Sequence, residues 1–428
     1  MLKHSFIFLL MILTIDYSLH SQEVTEKKEV AVFALSYYDW SIPSGALGMV
    51  DDEIKKVFVQ LGRFDIIGMP YRLSSEDIND FINRIRRTKE DNIEIPEEVR
   101  LGEEVFTERD FNRLVGSFIV VIPVMSYYNL TRTKGGDYIA EIQTSFTFVN
   151  VEELKTIAGF SLRTTGIDDT PRSAVRKAVD DIPVQLTYEI RKIPEFQLKT
   201  GIIEVMGRDV LIEFGRNMGV KKGDEFVITK PRILGSGHLV NEERGLLVIK
   251  DVKEEISVAH LIYSAEKPNI GEQVKELPRL GFDSFPYFHM VVDLSDPVFF
   301  IGIRQSITRG VYRIRPLFGL EVPLSAGMER YGWYGLPLNL FFGGELNWYL
   351  GRLQIVPMAS LGLGTVLTSG RDETLYLTHG GFKTTVSINY LVGKSVRFSL
   401  DGGYTYWFSG QFEDYGGILA GLGMVIKY

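Results

Sequence analysis

The chain has 428 residues, 45% of them hydrophobic, which is too long for one compact core and predicts two to four domains. It holds no cysteine, which excludes disulfide scaffolds, thiolate zinc sites, thiol catalysis and a lipid-modified N-terminal cysteine. Its formal charge of −8, from 47 basic and 55 acidic residues, speaks against nucleic acid as a partner.

Residues 1–21 read as a secretory signal peptide: Lys3, an apolar run over 6–13, and the small residue Ser21 before a charged stretch. The apolar run is far shorter than the roughly 20 residues of a membrane-spanning helix. No other run approaches that length, so a membrane-embedded mature chain must use closed strands.

Residues 22–196 read as an α/β domain. A strand over 30–35 is followed by a helix from Ser44 and Gly45 with Leu47, Val50, Ile54, Val57, Phe58 and Leu61 on one face, then by a strand over 64–67. Ser74 and Ser75 are placed to cap a second helix carrying Ile78, Phe81, Ile82 and Ile85. The acidic stretch 90–108 reads as a solvated face or mobile insertion, and its carboxylates lack the alternating spacing of a calcium loop. Residues 118–128 and 138–149 read as a hairpin about Gly135 and Gly136. A third helix starts at Pro171, buries Val175, Ala178, Val179, Ile182 and Leu186, kinks at Pro183 and stops by Pro194.

Residues 197–280 read as a small all-β domain with strands at 201–206, 209–214, 225–229, 245–252 and 257–262. Between them Gly219, Val220, Lys221, Lys222, Gly223 and Asp224 form a turn whose glycines serve positive φ angles. No Gly-Lys-Ser/Thr ending follows, so it is not a phosphate loop.

Residues 281–428 differ in composition: they hold 23 of the 42 glycines and 26 of the 51 aromatics, with 11 acidic and 11 basic residues, so the whole −8 lies before them. Apolar residues recur with period two in eight segments, which means strands. The final segment sets Ile418, Ala420, Leu422, Met424, Ile426 and Tyr428 against Gly417, Gly421, Gly423 and Lys427. Ten charged residues fall on the less apolar face: Asp293, Arg304, Arg313, Arg315, Glu321, Glu345, Lys383, Arg397, Asp401 and Lys427. A soluble sandwich would turn such charges to water, whereas a membrane barrel must turn them inward, because a cation on the lipid face costs about 2 to 4 kcal/mol at midplane. Short turns alternate with longer loops, and Trp333, Tyr334, Trp348, Tyr349, Tyr406 and Trp407 lie near strand ends, where an aromatic girdle sits.

These features resemble the small eight-stranded outer-membrane barrel proteins of Gram-negative type, including the terminal pattern Leu422, Met424, Ile426, Tyr428 that such proteins present to the barrel-assembly machinery. The resemblance implies outer-membrane lipid as a partner and residues 22–280 in the periplasm. The strand over 30–35, the helix ending in Leu61, Gly62, Arg63 and Phe64, and the strand over 65–68 resemble the periplasmic domain of the curli secretion channel family and the middle domain of flagellar assembly protein T. Two features depart from the curli channel: no cysteine is present for a lipid anchor, and the hairpin face Glu141, Gln143, Ser145, Thr147 could not meet lipid. The Gly219–Asp224 segment resembles one in the SH3-like domain of flagellar assembly protein T.

Little catalytic chemistry is legible. His238, His260, His289 and His379 are isolated and have no zinc-ligand spacing, and nothing calls for a cofactor. Ser369, Asp372 and His379 lie on or beside one predicted surface loop, which keeps a rim hydrolase as a third alternative. The inward charges either fill the barrel as an ion-paired plug, with contacts expected among Arg313, Arg315, Glu321, Glu345, Arg397 and Asp401, or line a narrow pore. The expectation is therefore a multidomain, non-enzymatic protein: an α/β domain, a small SH3-like β domain, and an eight-stranded antiparallel barrel anchoring both to the outer membrane. It would act with an unidentified periplasmic protein or envelope component, in envelope or flagellum-associated assembly.

Overall fold

The structure, a computed structural model, describes residues 24–38, 42–73, 77–90, 97–101, 104–292, 297–324, 336–367, 377–409 and 413–428. The signal-peptide residues and the Ser74–Ser75 cap lie outside them.

The α/β domain is built on a mixed sheet. Strand β1 (Lys28–Phe33) pairs in parallel with β3 (Phe64–Met69) on one side and β6 (Ile119–Arg132) on the other, and the short β2 (Ser36–Tyr37) extends along β6. Strands β6, β7 (Tyr138–Asn150) and β8 (Lys155–Asp168) continue the sheet as an antiparallel meander. Because β1 is covered on both faces, it is apolar at successive positions. Val30 and Val32 enter one core with the helix Ser44–Leu61, while Ala31 and Phe33 enter another with Phe81, Phe106 and Phe111.

Two expectations are corrected here. The helix from Pro171 is not one kinked rod but two helices, Pro171–Asp180 and Ile182–Lys192, divided at Asp181. Pro183 lacks the N–H to continue the first helix, yet fits the first turn of the second. Within the acidic stretch, β4 (Glu98–Leu101) and β5 (Glu104–Thr107) form a hairpin that buries Val99, Leu101 and Phe106, and Glu108–Gly116 is a helix. The period-two alternation of Glu-Val-Arg-Leu turns Glu98 and Arg100 out and Val99 and Leu101 in, and across from it Phe106 turns in while Val105 and Thr107 turn out.

The small β domain is a closed barrel of six strands in the order β10 (Asp209–Ile212), β13 (Ser257–Ser264), β12 (Leu239–Val252), β11 (Glu225–Ile233), β14 (Gln273–Leu277), β9 (Lys199–Met206). Phe226, Ile228, Leu247, Ile249 and Val274 fill it.

The third domain is an antiparallel barrel of eight strands: β15 (Phe282–Val292), β16 (Pro297–Ile307), β17 (Ile314–Pro323), β18 (Leu336–Leu346), β20 (Leu353–Leu367), β21 (His379–Val392), β22 (Val396–Ser409) and β23 (Tyr415–Lys427). The short β19 (Trp348–Leu350) continues β18 past Asn347 in one register along β20. Pairing of β18 with β20 and of β15 with β23 closes the ring. Its outer face carries the exposed Ile301, Phe318, Leu361, Leu363, Phe398, Leu400, Ile418 and Leu422. No described helix is long and apolar enough to cross a membrane.

The short turns and both ends of the barrel chain meet the small β domain. Gly310 N–H donates to Lys222 O at 2.7 Å, Arg352 lies over the Tyr263 ring at 3.8 Å, and Lys394 pairs with Glu243. The glycines of the turn before β11 serve this docking as well as their turn geometry. A Cβ on Gly219 (φ 73°) would lie 2.1 Å from Leu61 O of the α/β domain, and one on Gly223 (φ 82°) 1.9 Å from Thr308 O of the large barrel. Any side chain there would force two domains apart.

Candidate functional site

The interior of the large barrel is filled. Nine charged residues are described within its strands, and all nine are buried: Asp283, Arg304, Arg315, Glu321, Glu345, Lys383, Arg397, Asp401 and Lys427. Their partners follow from which strands face each other across the ring. Arg315 and Arg397 share Asp283 Oδ2 at 3.4 and 3.3 Å, Arg304 reaches Glu345 at 3.7 Å, and Arg315 reaches Glu345 at 4.0 Å. Lys383 pairs with Glu321, which also accepts from Tyr287 at 2.9 Å. Asp401 accepts from Ser399 at 2.8 Å and meets His289 Nε2 at 2.8 Å.

A cavity of about 10 Å³ lies beside Asp283, Arg304, Arg315, Glu345 and Arg397, room for about one water. Eight strands enclose little more than their own side chains, so the charges must neutralise one another there.

Two of the ten alternating charges, Arg313 and Lys427, are placed differently from the sequence reading, and one interior charge was not read at all. Arg313 is exposed, because β17 begins at Ile314 and Arg313 belongs to the preceding turn, where alternation has no force. Asp293 lies outside the described residues. Lys427 turns to the short-turn end of the barrel and pairs with Glu225 of the small β domain. Asp283 was missed, since β15 starts six residues before the segment in which alternation is visible. With Lys427 engaged elsewhere, four interior cations (Arg304, Arg315, Lys383, Arg397) face four anions (Asp283, Glu321, Glu345, Asp401) among the described residues, without the surplus of two that alternation gives.

Of the expected girdle, Trp348 is exposed, while Trp407 and Tyr349 point inward. Trp407 stacks with Tyr415 at 6.4 Å, and Tyr349 accepts from Arg315 at 2.6 Å. Each sits at an inward phase of its strand, which position near a strand end does not override. Trp333 and Tyr334 lie outside the described residues. In the terminal pattern, Leu422 and Tyr428 are exposed and Met424 and Ile426 half-buried, all on the outer phase of β23. Ser369 and Asp372 also lie outside the described residues, and His379 is turned into the barrel, where its Nε2 meets Asn339 at 2.7 Å. No cluster of three metal-ligating side chains occurs among the described residues.

The second concentration of charge is the junction of the three domains. Arg63, one residue past the C-cap of the first helix, makes a two-pronged contact with Glu276 of β14, at 2.6 and 3.2 Å. Arg191, on the helix Ile182–Lys192, donates Nε to Glu276 at 2.7 Å and Nη2 to Asp224 at 3.0 Å. Arg309, in the turn between β16 and β17, donates Nε to the same Asp224 oxygen at 2.8 Å. The chain Arg63, Glu276, Arg191, Asp224, Arg309 thus runs from the α/β domain through the small β domain to the barrel.

Burial raises the pKa of Glu276, but Arg63 and Arg191 outweigh it and hold the carboxyl at about 2. Asp224 is lowered in the same way, burial being overcome by Arg191 and Arg309. A parallel strap joins Arg279 to Glu225 at 3.1 Å, to Lys394 O at 2.7 Å and to Ser395 Oγ at 2.9 Å.

None of these junction residues was singled out from sequence as part of a site. Each is one charge in a charge-rich region, and only the fold brings residues 63, 191, 224, 276 and 309 together. A weak signal existed in the glycine-punctuated turn that ends in Asp224.

No family model and no curated protein matches the chain. Among solved structures, the hypothetical protein CT253 of Chlamydia trachomatis is 11% identical at TM-score 0.24, over 38% of this chain and 96% of that one. Lipoprotein GNA1162 of Neisseria meningitidis is 9% identical at TM-score 0.22, over 37% and 98%. The outer membrane protein Ail of Yersinia pestis is 9% identical at TM-score 0.23, over 35% and 99%. At these scores the likenesses carry no conclusion about role, and they add nothing to the resemblance to the curli channel or flagellar assembly protein T.

Proposed function

We propose that the chain is a non-enzymatic outer-membrane barrel protein whose ion-filled, non-conducting barrel holds two periplasmic modules in fixed orientation at the membrane. The observation that carries this reading is the sorting of charge: every described charged residue in the barrel strands is buried and none is on the outer wall, which presents Leu, Ile and Phe. A soluble barrel has no reason to spend its apolar residues outward and its ions inward, whereas lipid requires both.

The buried arginine chain supports the anchoring role. Flexible tethering would need only a linker, but here the α/β domain, the small β domain and the barrel turns share hydrogen-bonded charges. The modules would thereby offer a preset surface to a periplasmic protein or envelope component, in an envelope or flagellum-associated assembly. Fractionation with heat-modifiable gel migration tests the reading. The expected result is a membrane-pelleted chain that needs detergent for extraction and shifts in mobility on boiling. A mature chain soluble without detergent overturns it.

A further inference from the structure

A cavity of about 670 Å³ lies where the helix Ile182–Lys192, the turn before β11 and the outer wall of the large barrel come together. Its barrel side includes Ile307 and Phe318, both exposed and on the same outer face as the apolar wall. Val184 of the α/β domain stands opposite, also exposed. Its other end carries Lys221, Arg279 and Arg309, and no carboxylate lines it.

The local charge is unbalanced in the same direction. The buried chain has three guanidiniums to two carboxylates, and Lys221 makes no ion pair among the described residues. Arg279 commits all three nitrogens to Glu225, Ser395 and Lys394, whereas Arg309 commits Nε to Asp224 and Nη2 to Gly219 O and keeps Nη1, so Lys221 and Arg309 are the cations with donors left for an occupant. Partial burial, and after it the nearby Arg309, push the Lys221 pKa down, while Asp224 acts the other way.

We propose that this cavity holds one anionic phospholipid of the periplasmic leaflet, its phosphate against Lys221 and Arg309 and an acyl chain along Ile307 and Phe318, an inference that rests on the outer-membrane reading. A phosphate meets both cations with charge-assisted hydrogen bonds. The apolar wall continues directly from the lipid-facing surface, so an occupant with a hydrocarbon tail fits both ends of the cavity, and free phosphate fits only one. The lipid would also bridge Val184 of the α/β domain to the barrel wall, tying that domain to the membrane surface.

The full chain, reconstituted in nanodiscs of mixed phosphatidylglycerol and phosphatidylcholine and released into mild detergent, is weighed by native mass spectrometry. The expected result is one retained phosphatidylglycerol, preferred over phosphatidylcholine by about tenfold or more, the scale of one charge-assisted hydrogen bond. Lys221→Gln removes the preference, and Val184→Trp, which fills the opening, removes retention of both lipids. Equal retention of the two lipids by the native chain, or retention unchanged in both variants, overturns the inference. Displacement by inorganic phosphate without any effect of Val184→Trp assigns the site to free phosphate and overturns it as well. Heat-modifiable migration of the same samples separates the two levels: an embedded chain without lipid preference fails this inference alone, whereas a chain soluble without detergent fails the outer-membrane reading.

Discussion

Arg191 donates its Nε to Glu276 at 2.7 Å with both side chains sealed from water, and these two residues come from different domains 85 positions apart. The contact makes the helix Ile182–Lys192 and strand β14 parts of one rigid junction. Glu276 also accepts from the Leu198 N–H at 3.2 Å and from Arg63, so with Asp224, which takes the other end of Arg191, it ties the α/β domain to the small β domain.

Glu276→Gln should therefore loosen the junction more than a surface substitution would. Two buried guanidiniums lose their shared anion, a change that costs about 3 to 5 kcal/mol when one partner of a buried pair is removed. Denaturant unfolding of the full chain in detergent measures the loss, and limited proteolysis should find new cleavage near residues 193–198. An unchanged midpoint would contradict the assignment.

The junction should also have a defined acid limit. The folded pKa of Glu276 is about 2, below its ordinary 4.5, so its contribution is complete above about 4.5 and lost as pH falls through about 2. A shift of that size corresponds to on the order of 3 kcal/mol. Hydrogen exchange in the helix Ile182–Lys192 should stay slow from neutral pH to about pH 4 and accelerate below it. Acceleration between pH 7 and 5 would mean that the carboxylate is not held by its arginines.

Inside the barrel, Lys383→Met leaves Glu321 buried without its ammonium. The temperature of the heat-induced mobility shift should fall, by the equivalent of about 3 to 5 kcal/mol. Adding Glu321→Gln should restore part of it, because the uncompensated charge is gone. The native chain should show no steady conductance in planar bilayers, because eight strands enclose little more than their own side chains. Steady conductance abolished by Glu345→Gln would overturn the plug.

On the outer wall, Leu361→Arg should lower the fraction of barrel folded into vesicles by the equivalent of about 2 to 4 kcal/mol, with Leu361→Phe neutral. Leu361 is 74% exposed, so neither substitution meets a packed core. Equal folding of the two variants would indicate that water surrounds this face.

How much of this was legible in the sequence depended on periodicity. The eight alternating segments and the inward phase of Arg304, Glu321 and Lys383 could be read because strand geometry repeats every two residues. Where the period stops, the reading failed: Arg313 lies one residue before its strand, and Asp283 belongs to the start of β15, where Ser284 and Pro286 interrupt the apolar pattern on the outer face. The small strand β14 offered only five residues, too few for its alternation to stand out. The junction was illegible for a different reason, since Arg63, Arg191, Asp224, Glu276 and Arg309 are ordinary charges until three separate folds bring them together.

The absence of cysteine makes the central claim directly measurable, because each introduced thiol is the chain's sole target for a maleimide. Leu377→Cys lies at the end of the barrel opposite the short turns, Leu361→Cys on the outer wall, and Lys230→Cys on the small β domain. In intact cells a membrane-impermeant maleimide should label position 377 and neither of the others. Permeabilising the outer membrane should add position 230 while 361 stays protected. Labelling of position 361 under either condition, or of position 230 in intact cells, would contradict a barrel that spans the outer membrane with its two modules in the periplasm.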